Sequence, residues 1–138
     1  MTMTRRAAAC LAVLLLAGAA VAPVLAQKTE TPTQFYMKFR EAFDKAKSID
    51  DLLPYMSKQN VDQVKTTPEK DRAPMFAMMH EMGVVKNLKV TKETKTATGA
   101  TLLAEGLGPD DKATKGTIDI VSEGGAWKVG KESWSSGS

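Results

Sequence analysis

The hydrophobic period of this chain changes once, at Gly83, and that change leaves few folds open to it. Before Gly83 the apolar residues recur at helical spacing; after it they follow the two-residue period of strands. Helices first and strands afterwards argue for an α+β domain, since parallel α/β folds alternate the two. With 138 residues there is room for one such domain.

The helical half opens on Thr31-Pro32-Thr33-Gln34, with Thr as N-cap, Pro at the first helical position and Gln closing a capping box. Phe35, Phe39, Ala42, Phe43 and Ala46 then fall on one face, which predicts an amphipathic helix over residues 32–47. Lys38, Arg40, Glu41, Lys45 and Lys47 occupy the remainder, the expected solvent face. Ser48-Ile49-Asp50-Asp51 is a second cap signal, opening a short turn of helix through Leu52, Leu53, Tyr55 and Met56 that Pro54 limits. A short helix over residues 60–66 would turn Val61 and Val64 inward. The last helix starts at Thr67-Pro68 and runs to Met82; Pro74 either kinks it or delays its regular part to about Ala73. Gly83 is placed as a C′ residue.

Four strands are predicted, over residues 84–93, 100–105, 114–122 and 126–134. Ala97-Thr98-Gly99, residues 106–112 and Glu123-Gly124-Gly125 separate them as turns. Neighbouring strands this close in sequence form hairpins, giving a four-stranded antiparallel sheet under the helices. The many Lys and Thr residues suit a sheet with one wet face.

Residues 1–26 read as an export signal. Arg5 and Arg6 precede a small apolar run from residue 7 to 22, and Val24-Leu25-Ala26 makes a cleavage site. A retained membrane anchor is the weaker reading, because no charged stop-transfer flank follows. A twin-arginine signal is a minority variant, and Cys10 lies near the start of the apolar run instead of ending it, against lipidation. Cleavage after Ala26 would remove 26 of 138 residues, with the lone cysteine, and leave 112. The expected product is periplasmic or secreted, with a flexible stretch at residues 27–31, one domain over 32–135 and a flexible tail at 136–138. The whole-chain charge of +3 is too small for a nucleic-acid footprint. Lys86, Lys89, Lys92 and Lys95 look like protection of a sheet edge instead. No membrane contact is expected once the signal is removed.

Two segments carry a resemblance: Asp51-Leu52-Leu53-Pro54-Tyr55-Met56-Ser57 after the first helix, and Glu123-Gly124-Gly125-Ala126-Trp127-Lys128-Val129 with Glu132-Ser133-Trp134 at the end. In this layout the chain resembles exported bacterial members of the nuclear transport factor two-like superfamily, over about residues 31–135. The resemblance implies a curved sheet wrapping the first helix around a cone-shaped pocket, and it makes a homodimer through the sheet plausible. Catalytic relatives place a carboxylate or histidine, often with tyrosine, in the cone. No such set aligns here, so no catalytic residue is assigned.

The chemistry-bearing residues are few. Met75, Met78, Met79 and Met82 span about 100° of helix, the width of a core stripe, so core packing is favoured over a Cu(I) site. His80 lies outside that arc and is either a base in the cone or a solvated ring stacked on Phe76. Tyr36 and Tyr55 could point hydroxyls at a ligand, although Tyr55 in its Leu-Leu-Pro setting reads as a packed ring. Trp127 and Trp134 read first as hairpin anchors. Asp44, Glu81 and Asp119 stand alone, and Gly106-Leu107-Gly108-Pro109-Asp110-Asp111 lacks calcium-loop spacing. Nucleophile-elbow, zinc-protease and phosphate-loop motifs are missing, so no cofactor or metal is expected. Tyr36, Tyr55, His80 and Trp127 remain as ligand-binding candidates. The leading expectation is a non-enzymatic domain binding a small apolar ligand or a partner protein through cone or sheet. The alternatives are an isomerase, dehydratase or cyclase-like enzyme and a Cu(I)-binding protein using residues 75–82.

Overall fold

The computed structural model describes residues 30–136. The export signal expected at residues 1–26, positions 27–29 of the N-terminal stretch and positions 137–138 of the tail lie outside the described residues. Helix α1 (Pro32–Lys45) is followed by a 3-10 turn (Ile49–Tyr55), α2 (Lys58–Thr66) and α3 (Glu69–Met82). Strands β1 (Lys86–Lys95), β2 (Gly99–Leu107), β3 (Ala113–Glu123) and β4 (Ala126–Ser136) come next. Each strand pairs antiparallel with the next, in the order β1-β2-β3-β4. This is the α+β architecture, helices on an antiparallel sheet, that the change of period implies.

The core lies between α1 and one face of the sheet. Phe35, Tyr36, Phe39 and Phe43 meet Leu102, Ala104, Ile118, Ile120 and Val129, with Ile49 and Leu52 sealing one side. Residues 100, 102 and 104 of β2 and 114, 116, 118 and 120 of β3 are buried, the two-residue alternation of a half-buried sheet. No helix among the described residues is long and apolar enough to cross a membrane.

Local chemistry explains the helix ends. Thr31 and Gln34 form a reciprocal capping box at the start of α1. The helix stops at Lys45, two residues early, because the next cap captures the chain: Asp51 Oδ2 accepts from the Lys47 and Ser48 N–H groups at 2.9 and 3.3 Å. The sheet also supplies anions to helix N-termini. Glu93 of β1 accepts from Thr33 N–H and hydroxyl, and Glu123 of β3 accepts from Lys58 N–H at 2.8 Å. At the two margins of the described residues, the Glu30 carbonyl accepts from Trp127 Nε1, and Ser136 pairs with Thr114.

Gly83 corrects its expected role. It is the C-cap residue itself, with φ −88°, so it does not use the left-handed conformation. Glycine fits because a Cβ there would lie 2.8 Å from both Met79 O and Phe43 Cζ. Gly124 and Gly125, at φ +60° and +80°, do use that conformation and form the tight β3–β4 turn.

Helix α3 differs most from expectation. It is continuous from Glu69 through Pro74, and it is rotated by about a quarter turn from the methionine arc. Phe76, Met79, His80 and Gly83 face the body of the protein, while Met78 and Met82 are 60% and 72% exposed. The core-packing reading of the four methionines therefore holds only for Met79, which packs on the core, and in part for the half-buried Met75. Phe76 is the larger anchor; its buried ring packs on His80, which stacks on Phe43, and this sets the rotation.

Register shifts bend the sheet. β1 carries two, and its Lys86, Lys89, Lys92 and Lys95 are all exposed, as suits a protected edge strand. In β4 the pairing runs Asp119 with Lys131 and then Ile120 with Val129, so Gly130 is the extra residue of a bulge. The bulge frees carbonyls that α2 takes up: Asn60 Nδ2 donates to Val129 O at 3.1 Å and Gly130 O at 2.6 Å. Asn60→Ala is expected to lower folding stability by about 1–3 kcal/mol, the cost of unmaking partly buried hydrogen bonds. A urea midpoint unchanged from wild type would contradict this role.

Candidate functional site

The bulge at Gly130 controls what the inner face of β4 presents. Trp127 and Val129 share one parity, Glu132 and Trp134 the other; one extra residue between them puts all four on the inner side. Glu132 thus reaches the core opposite α1. Tyr36 and Arg40 stand one turn apart on that helix and both meet it. Tyr36 Oη donates to Glu132 Oε2 at 2.8 Å, and Arg40 Nη1 pairs with Glu132 Oε1 at 3.1 Å. Arg40 Nη2 donates to Gly83 O at 2.6 Å, closing the C-terminus of α3, and the guanidinium carbon lies 4.5 Å from the Phe43 ring centroid.

This triad corrects the reading of Arg40 as a solvent-face residue. Arg40 is only 4% exposed, because its guanidinium finds a carboxylate, a carbonyl and an aromatic face below the helix. Tyr36 has no exposed surface, and burial, reinforced by the Glu132 charge, holds its phenol far above the ordinary value of 10.0; Arg40 opposes that shift. Glu132 keeps 23% of its side chain exposed. An ion pair of this kind adds little net stability but fixes the position of α1 on the sheet.

Beside the triad, Trp134 lies flat over Gly116, where a Cβ would approach the indole to 2.7 Å. Only glycine lets the ring settle that deep. Its Nε1 is buried with no hydrogen-bond partner among the described residues. The ring forms one wall of an open cleft of about 420 Å³, shared with Met82, Val84, Val85, Pro109 and Thr114. The cleft lies where the end of α3, the β2–β3 loop and the end of β4 meet.

The four residues nominated from sequence do not converge. Tyr55 and Trp127 share a hollow of about 550 Å³ at the β3–β4 turn, where Tyr55 packs on Phe35 and Phe39 at ring distances of 6.2 and 6.0 Å. The lysines there are engaged, Lys38 with Glu30 at 2.5 Å and Lys128 Nζ with Pro54 O at 2.6 Å. His80 lines a separate groove of about 520 Å³ between the 3-10 turn and α3, with Ile49 and Phe76. It is half-buried where a solvated ring was the plain expectation, stacked 5.0 Å from Phe43, with Nε2 at 2.9 Å from Phe43 O. Tyr36 stands inside the core.

Arg40 and Glu132 were missed by the sequence reading, though one signal was there. The parity break between Val129 and Glu132, with glycine between, is how a bulge reads in sequence. Among the described residues no three His, Cys, Asp or Glu side chains gather as metal ligands. No family model matches this chain, and no curated protein and no solved structure matches it either.

Proposed function

We propose that this is a non-catalytic binding domain that takes a small apolar ligand in the cleft walled by Trp134. One observation carries the reading: an open cleft with a largely apolar lining, Met82, Val84, Val85, Pro109 and Trp134, and with Asp110, Lys112, Thr114 and Ser136 as its polar groups, persists beside a tightly filled core. The internal polar groups support binding over acid–base chemistry. Tyr36 hydroxyl is spent on Glu132 and has no exposure, and His80 is tied to a backbone carbonyl. The reading retains an exported domain of the nuclear transport factor two-like type. It moves the ligand from the centre of the cone, which Leu102, Ile118 and the rings of α1 fill, to its rim.

The test is titration with N-phenyl-1-naphthylamine, an uncharged apolar fluorophore. Saturable, blue-shifted emission is expected. Val84→Trp should weaken it by roughly tenfold or more by filling the cleft. Val84 precedes β1, so the change leaves helices and strands intact. Equal affinity in the variant would remove the cleft as the site.

A further inference from the structure

The rotation of α3 leaves an arrangement that the core does not explain and that the cleft accounts for only at Met82. Met75, Met78 and Met82 fall within about 60° of one helix face, and two of them are more exposed than any other large hydrophobic residue described. Met75 is half-buried beside them, and Met79, on the inner margin, packs against the core. Successive methionines here stand three and four residues apart, so their Cβ atoms are neighbours at about 5–6 Å. A methionine side chain is unbranched with three rotatable bonds, which lets three sulfurs turn toward a common point. Keeping apolar side chains in water costs free energy and forgoes burial.

We infer that Met75, Met78 and Met82 form a surface site for a soft monovalent cation, Cu(I) in biology. Thioether sulfur is a soft, uncharged donor, and soft ligands select Cu(I) over hard ions such as Mg(II) or Ca(II). The site needs no deprotonation, since a thioether carries no proton to lose. His80 is not a ligand: it lies on the inner side of α3, held against Phe43 O. Met82 also lines the Trp134 cleft, whereas Met75 and Met78 do not, so variants at Met75 and Met78 test this inference apart from the proposed ligand.

Ag(I), the redox-inert counterpart of Cu(I), is the probe. The protein is the full chain with Cys10→Ser, which removes a competing thiol. Isotope-labelled methionine methyl groups are followed by NMR as silver is added. Met75, Met78 and Met82 are expected to shift together at the first equivalent, ahead of Met37, which is exposed alone on α1. In competition with a chelator, Met75→Leu/Met78→Leu is expected to lower silver affinity by roughly tenfold or more, as soft ligands are lost. Leucine is at least as good a helix former, so α3 is retained. Affinity should be constant between about pH 5 and pH 8, where a histidine site would change. Met37 shifting at the same silver concentration as the α3 methionines, equal affinity in the double variant, or a histidine-like pH profile would each overturn the site.

Discussion

Glu132→Ala is expected to destabilise the fold by about 3 kcal/mol, the low end of the range for breaking a buried ion pair from one side. The loss has two sources. Arg40, only 4% exposed, is left with a single carbonyl partner for a full charge, and Tyr36 loses the acceptor of a fully buried hydroxyl. The low end applies because Glu132 is 23% exposed in its side chain, so water can enter the vacated place. Removing the pair together should cost less. An Arg40→Met/Glu132→Leu double variant is expected to lose about 1–2 kcal/mol, because no charge remains to be stranded and only the Tyr36 hydroxyl is left without its acceptor. Urea unfolding with a constant slope measures both. A single variant within error of wild type would mean that the triad places α1 without energetic consequence.

A second large effect is expected in alkali. Unfolded, the Tyr36 phenol ionises near its ordinary value of 10.0; folded, burial and the Glu132 carboxylate raise it well above that. The folded state therefore keeps a proton that the unfolded chain gives up. The contribution is intact below pH 10 and is lost as pH rises beyond it, at about 1.4 kcal/mol per pH unit. Tyr36→Phe lacks this term. It should be the less stable protein at neutral pH, through loss of the bond to Glu132, and the gap should close above about pH 11. In a Tyr55→Phe background, where Tyr36 is the only tyrosine, phenolate absorbance should appear together with unfolding. Phenolate in a still-folded protein would contradict the burial argument.

The sequence carries the architecture well and the site poorly, for distinct physical reasons. The phenylalanine stripe of α1, the caps at Thr31 and Ser48 and the glycine turn at Gly124-Gly125 are local features, and all three sit where their chemistry puts them. Arg40 is a different case. On the helix it flanks the stripe, and a charged residue on a flank goes to solvent unless something distant receives it. The receiver is Glu132, 92 residues away, and Glu132 faces inward only because of the bulge at Gly130. The rotation of α3 fails for a related reason. Four methionines outweigh one phenylalanine in a periodicity count, yet the phenylalanine is buried against His80, which itself stacks on Phe43, and tertiary packing decides. Tyr55, His80 and Trp127 are candidates by residue type, and residue type says nothing about which hollow a side chain lines.

The meander of β1 to β4 has a kinetic consequence. Its strand pairings join neighbours in sequence, so hairpins can close over short loops at little entropic cost. The contact from Tyr36 to Glu132 is of another kind, spanning 96 residues. A chain emerging N-terminus first has its leading helix in hand long before the acceptor for that hydroxyl has been made. Until the final strand arrives, an arginine and a tyrosine on that helix remain hydrated, and docking against the half-built sheet would strand them. The first helix and the last strand among the described residues are thus expected to meet late, once the final strand can receive the polar groups of that helix.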